Sequence, residues 1–186
     1  MKNYTTKNLG QFEIKSDKVM VSDPCYKIGT WCQGIVGNVK KGKWNAQIFV
    51  SDEGDWGNRV AVLIASHNSI KGQIAYTCPN WKEEKFEVGV DSGQAGIFDL
   101  KEFHSDNGDY NDPKSWYKRV CDLTLIGAGG IMDNSGVCSS SGFGDGGYIC
   151  KTITKKNKVV AIMIDFCLLK EPDEEEDDMN DDTGND

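Results

Sequence analysis

Trp44, Ala46, Ile48 and Val50 alternate with Asn45, Gln47, Phe49 and Ser51. This pattern constrains the chain more than any other feature. A period of two puts successive side chains on opposite faces of a strand, whereas a helix would scatter them. A turn-forming stretch, Asp52-Glu53-Gly54-Asp55-Trp56-Gly57-Asn58, follows, and then the unbroken apolar run Val60 to Ala65. Such a run suits a central strand covered on both faces, and the two runs with their turn predict a hairpin.

The same reading extends along the chain. Phe12-Glu13-Ile14, Val19-Met20-Val21, Phe86-Glu87-Val88 and Ala95 to Phe98 have strand composition. Tyr148 to Thr154 and Lys158 to Leu169 flank Lys155-Lys156-Asn157 as a second hairpin. One helix is expected near 113–123, with Asp112 as cap, Pro113 at the first helical position and Trp116, Val120 and Leu123 on one face. The expected fold is mainly β: a twisted antiparallel β-sandwich or partly open barrel with this one short helix. A weak internal echo also appears. The window Ser16 to Asp23, preceded by Phe12-Glu13-Ile14, aligns without gaps on Ser92 to Asp99, preceded by Phe86-Glu87-Val88. A duplicated hairpin would explain it, and so would chance.

Charge divides the chain in two. Of its 29 acidic residues, ten lie between Glu171 and Asp186, where no basic residue occurs; 19 remain against 21 Lys and Arg in 1–170. The reading is one β-rich domain over 1–170 and an acidic tail, 171–186, that self-repulsion keeps disordered. The tail is either a solubilising segment or a nucleic-acid mimic that attracts a basic partner. The seven cysteines form no C-x-x-C pair, and no apolar segment has the length of a signal or a membrane span. The expectation is reduced thiols, a cytoplasmic location and no membrane association.

Three Asp-centred turns are the candidate site: Ser22-Asp23-Pro24-Cys25-Tyr26, Val90-Asp91-Ser92-Gly93-Gln94 and Gly142-Phe143-Gly144-Asp145-Gly146-Gly147-Tyr148. The last has the glycine content of a phosphate cradle. It lacks a P-loop's Lys-Ser/Thr ending and runs into a strand rather than a helix. It reads as a strand-entry turn whose amides form an anion nest, or as a purely structural turn closed by Asp145. The expected ligand-binding residues are Asp23, Tyr26, Asp91, Gln94, Gly144, Asp145, Gly146, Gly147 and Tyr148.

No catalytic residue, metal ligand or cofactor is assigned. Cys25 would need a base, and only His67 and His104 exist. The oxygen-rich loop Ser105 to Asp112 lacks the closing Glu of a calcium loop and reads as polar connection. Lys40-Lys41-Gly42-Lys43-Trp44 and Lys155-Lys156-Asn157-Lys158 are basic turns, with Trp31, Trp56 and Trp81 in loops. Such residues suit single-stranded nucleic acid, but the weak body charge and the two arginines argue against that partner. Lysines at hairpin tips also guard sheet edges.

The order Ser22-Asp23-Pro24-Cys25-Tyr26, Val90 to Asp99, Ser115-Trp116-Tyr117, Gly136 to Tyr148 and Ile164-Asp165-Phe166 resembles a set of uncharacterised phage and bacterial proteins related to domain of unknown function 4241. The resemblance spans roughly 12–166. It implies an intracellular protein linked to phage or mobile elements and carries over no catalytic residue. The chain departs from the usual pattern at Ser16-Asp17, where a Ser-Gly step is common. Besides a structural or interaction module with no pocket, whose tail is the active part, two functions remain open. One is a non-enzymatic binding protein, such as a phage accessory factor that binds a host protein or sequesters a small anionic ligand. The other is a carboxylate- or metal-dependent hydrolase using Asp23, Asp91 and Asp145.

Overall fold

The computed structural model describes residues 4–103 and 110–168. His104, most of the oxygen-rich loop and the acidic tail lie outside the described residues. Among the described residues there are eleven strands, one α-helix and a 3-10 turn at Gly54–Trp56: β1 (Tyr4–Ile14), β2 (Val19–Ser22), β3 (Gly34–Val36), β4 (Gly42–Asp52), β5 (Asn58–His67), β6 (Lys82–Val90), β7 (Gln94–Asp99), α1 (Trp116–Gly127), β8 (Gly129–Met132), β9 (Gly136–Ser140), β10 (Gly146–Lys155) and β11 (Lys158–Asp165). They form a six-stranded sheet, β1-β4-β5-β11-β10-β6, and a five-stranded sheet, β3-β2-β7-β9-β8. The pairings within both sheets are antiparallel. The architecture is a β-sandwich rather than a barrel.

The period of two decides what lies between the sheets. Val19, Val21, Ala95, Ile97 and Val137 of the smaller sheet meet Trp44, Ala46, Ile48, Leu63, Ala65, Ile162 and Ile164 of the larger one in a single core. The alternate residues Met20, Phe98 and Cys138 face outward and are covered by α1 through Trp116 and Val120. The outer face of the large sheet is also apolar at Phe49, Val62, Ile64 and Met163. The connection after β5 covers this face: Tyr76 meets Phe49 edge-on at 5.1 Å, and Gln47 Nε2 donates to the Ile74 carbonyl at 2.8 Å. Gln47 and Phe49, on the alternation's more polar side, are therefore buried too.

Several sequence expectations shift at their ends. The helix starts at Trp116, not 113, because Ser115 is its cap and its hydroxyl accepts the Lys118 amide at 3.2 Å. Asp112 closes the preceding turn, taking the Lys114 amide at 2.9 Å. Strand β11 ends at Asp165, short of Leu169, where Cys167 turns left-handed (φ 59°) and gives its amide to the Asp165 carboxylate at 3.0 Å. Strands β3, β8 and β9 are short and glycine-containing, and carry too little pattern to be read from sequence.

The window Ser16–Asp23 and its echo Ser92–Asp99 fall in a repeat of strand order that runs through both sheets, in which Phe12 matches Val88 rather than Phe86. Strands β1 to β5 and strands β6, β7, β9, β10 and β11 follow one path, and α1 with β8 is an insertion in the second half. Read inward from either edge, the large sheet presents the first, fourth and fifth strand of a half, and β5 and β11 meet at its centre. In the small sheet β2 pairs with β7, and Val21 lies opposite Ile97, the corresponding residue of the other window. A local twofold axis passes between them. Side chains repeat as well. Phe12 lies opposite Trp44, and Val88 opposite Tyr148. Trp44 meets His67 edge-on at 5.9 Å, and Tyr148 meets Phe166 at 5.1 Å. Trp44 Nε1 donates to the Lys40 carbonyl at 2.9 Å, and Tyr148 Oη lies 2.7 Å from the Gly144 carbonyl, each four residues back.

Asp99 ends β7 and joins the halves. Its carboxylate accepts the amides of Lys15 (2.6 Å) and Ser16 (2.8 Å) from the first half's turn, and that of Lys101 (3.0 Å) from its own. Burial pushes the Asp99 carboxyl upward, but these amides and the Ser16 hydroxyl overrule it and hold its pKa below the usual value. The unfolded chain therefore takes up this proton first, so the stabilisation is present above about pH 4 and lost as pH falls further. Asp99→Asn should cost about 2–3 kcal/mol at pH 7, the scale of charged hydrogen bonds. Urea midpoints followed from pH 7 to pH 3 should fall less steeply for the variant than for the parent; parallel curves would exclude this role.

Candidate functional site

The three Asp-centred turns meet. Asp23, which follows β2, is fully buried, and its Oδ2 accepts the amides of Asp91 (2.9 Å) and Ser92 (2.8 Å). Its Oδ1 accepts the Cys25 amide and the Ser92 hydroxyl, both at 2.8 Å. Asp23 thus repeats Asp99 with the halves exchanged. Asp145 closes the cluster from the other side, accepting the Gly93 amide at 3.1 Å. The Ser16-Asp17 and Ser92-Gly93 turns share this capping but differ at the second position: Gly93 is left-handed (φ 67°) and Asp17 is not.

Four donors leave the Asp23 carboxylate little capacity for a ligand or a reacting proton. Gln94 is also committed. Its Oε1 accepts the Thr124 hydroxyl at 2.8 Å and its Nε2 lies 3.5 Å from the Cys121 sulfur, under α1. Tyr148 is buried, with Oη 3.0 Å from the Ser141 carbonyl and 2.7 Å from that of Gly144. The Gly144 amide donates back to Ser141 at 2.7 Å, so the glycine loop is a closed turn. Gly146 and Gly147 belong to β10, opposite Val90 and Gly89. The Glu87 carboxylate fills the space over Gly147, within 1.3 Å of where a Cβ would stand. An anion at Gly147 would therefore meet a carboxylate. Asp91, Asp145 and Gly146 stay exposed, and Tyr26 is half-buried.

The Cys25 thiol is not poised as a nucleophile. Burial, with smaller contributions from Asp23 and Cys121, outweighs the Ser92 hydrogen bond and pushes Cys25 up to about 12. Burial and the neighbouring Cys32, Asp23 and Asp91 push the Tyr26 phenol up to about 12. His67 is not the base of Cys25. Its Nδ1 accepts the Ser69 amide at 2.9 Å, which leaves the proton on Nε2, donating to the Lys41 carbonyl at 3.1 Å. Burial first, then Lys40, lowers its pKa and favours this neutral form. Among the described residues no three of His, Cys, Asp and Glu gather as metal ligands.

A second site forms where sequence reading saw two separate features. Val39 and Val159 make an isolated parallel bridge: the Lys40 amide donates to the Val159 carbonyl at 2.9 Å and the Val159 amide to that of Asn38 at 3.0 Å. This contact brings the two basic turns together. Lys40, Lys155, Lys156 and Lys158, with Ser69 and Val160, line one groove of about 420 Å³. None of the four ammonium groups has a carboxylate partner among the described residues. Lys155 also borders a second groove, about 530 Å³, formed with Pro79, Asn80, Trp81, Lys82, Ile153 and Thr154. Guarding a sheet edge does not account for the second turn, because β10 and β11 are interior strands. Lys156 and Asn157 are both left-handed, at φ 49° and 59°, the pattern of a type I′ hairpin. Lysine is a poor choice there, where Asn or Gly costs less.

No family model matches the chain, and neither does any curated protein or solved structure. Among the described residues no helix is long and apolar enough to cross a membrane.

The clamp and the glycine loop predict opposite sensitivities. Asp23→Ala leaves four part-buried donors without their carboxylate and should cost about 3–4 kcal/mol, whereas Asp145→Ala loses one exposed bond and should cost under about 1 kcal/mol. Chemical denaturation of the two variants tests this order. Equal losses would remove Asp23's special place.

Proposed function

We propose that the chain is a non-enzymatic binding protein whose ligand is a small, multiply charged anion, held by Lys40, Lys155, Lys156 and Lys158. The observation that carries this reading is the Val39–Val159 bridge, which joins two lysine turns into one groove. Four lysines that line one groove without a carboxylate partner among the described residues gather positive charge there, and an anion of two or more charges complements it. Both adjoining grooves have the volume of small-molecule sites, which span about 300–1,000 Å³. The groove beside Trp81 and Pro79 suits a planar or apolar appendage, so a nucleotide-sized phosphate compound fits the pair. The hydrolase reading on Asp23, Asp91 and Asp145 has less support, because the Asp23 carboxylate is spent on four donors.

A host-protein partner is favoured by a different observation. Ile28, Trp31 and Ile35 are exposed at the β3 edge of the small sheet, Trp31 at 92%. The phage-linked setting rests on the motif order alone.

Calorimetric titration with inorganic tripolyphosphate and with ATP tests the anion site. Both should bind, and ATP should be recovered unchanged. Lys40→Ala combined with Lys158→Ala should weaken binding at least about tenfold, the loss of roughly 1.4 kcal/mol. Lys156→Asn should weaken binding while raising the melting temperature, because it relieves the left-handed lysine. Binding that ignores these substitutions, or no binding of either anion, would overturn the proposal.

A further inference from the structure

Ten carboxylates occur between Glu171 and Asp186 with no basic residue among them. They follow β11, and the opposite end of that strand begins at Lys158, on the lysine groove. We infer that the acidic segment 171–186 is an intramolecular competitor that occupies the lysine groove when the anionic ligand is absent. This rests on the proposed anion site and adds its regulation.

Three observations carry it. The first is reach. Residues 158 to 168 would span no more than about 35 Å if fully extended at 3.3 Å per residue, so Leu168 lies within that distance of Lys158. The chain beyond Leu168 can reach about 35 Å by Asp178, about 43 Å by Asp181 and about 60 Å by Asp186, so Asp181, Asp182 and Asp186 arrive without full extension. The second is charge. The groove's ammonium groups lack partners among the described residues, while the segment has carboxylates and no cation of its own to pair with. The third is tethering. Attachment holds the segment at an effective concentration near the millimolar range, enough for weak ion pairs to compete with a soluble anion. The segment is nearly devoid of apolar residues, so its contact is electrostatic and is screened by salt.

Ligand binding is then an exchange of one polyanion for another. The full chain should hold its ligand more weakly at low salt than a chain whose segment is neutral, and the difference should vanish at high salt. The acidic segment thereby sets the threshold at which the anion is captured and keeps the lysine face from pairing with other polyanions.

The experiment compares the full chain with a full-length variant in which the ten acidic residues of 171–186 become Asn or Gln. Amide spectra are first recorded with no anion added. The variant should shift the amides of Lys40, Lys41 and Lys155 to Lys158 and leave the Asp23 and Asp99 clamps in place. Tripolyphosphate should then bind the variant about tenfold more tightly at 20 mM salt and equally at 0.5 M. Unmoved lysine-turn amides, or shifts spread over the whole sandwich, would overturn the inference even if tripolyphosphate binds. Shifts at the lysine turns with no tripolyphosphate binding to the variant would uphold the docking and overturn the anion-ligand reading instead.

Discussion

Two carboxylates hold the sandwich together at its symmetry axis. Asp23 follows β2 and takes the turn amides of Asp91 and Ser92; Asp99 ends β7 and takes those of Lys15 and Ser16. Each half thus supplies the acid that closes the other half's turn. The paired strands between them place Val21 against Ile97 in the core. Breaking one clamp would leave a buried carboxylate or buried amides unpaired, and either is costlier than a lost apolar contact of similar size. The turns themselves, rather than any helix, therefore fix how the halves meet.

That reciprocity changes what the Asp-centred turns mean. Acids at strand ends resemble a ligand site when met one at a time. In the folded chain Asp23 and Gln94 face inward and are consumed, Tyr148 is tied to the turn of Ser141 and Gly144, and Gly147 lies under Glu87. The rigid frame so produced carries its free chemistry elsewhere. Trp44 is the counterpart of Tyr148, and its indole fixes the Lys40 carbonyl just where the chain enters the lysine groove. The same structural position thus closes a glycine turn in one half and supports the basic face in the other.

The second half departs from the first through α1 and β8. The helix covers Met20, Phe98 and Cys138, which would otherwise leave an apolar outer face. On the other sheet the connection after β5 does this work, with Ile74 and Tyr76 over Gln47 and Phe49. A sandwich of two similar halves has two outer faces, and each is covered by a segment specific to one half. The connection also places Trp81 and Pro79 beside Lys155, so the covering of the large sheet and the shaping of the candidate ligand grooves are one feature.

The sequence by itself determined the strands with a clear period of two, both hairpins, the mainly β class and the existence of a helix, and left sandwich and partly open barrel to the sheet topology. These follow from local patterns of residues a few positions apart. It also showed the echo of Ser16–Asp23 in Ser92–Asp99. It could not show the short strands β3, β8 and β9, whose glycines give no pattern, nor that Ser115 rather than Asp112 caps the helix, because both residues have capping chemistry. Tertiary structure alone decided which carboxylates were spent and which lysines became neighbours. Asp23 meets Ser92, and Lys40 meets Lys158, only because strands distant in the chain pair. Net charge averages over the whole surface, so it hid a basic face that a single parallel bridge between Val39 and Val159 assembles.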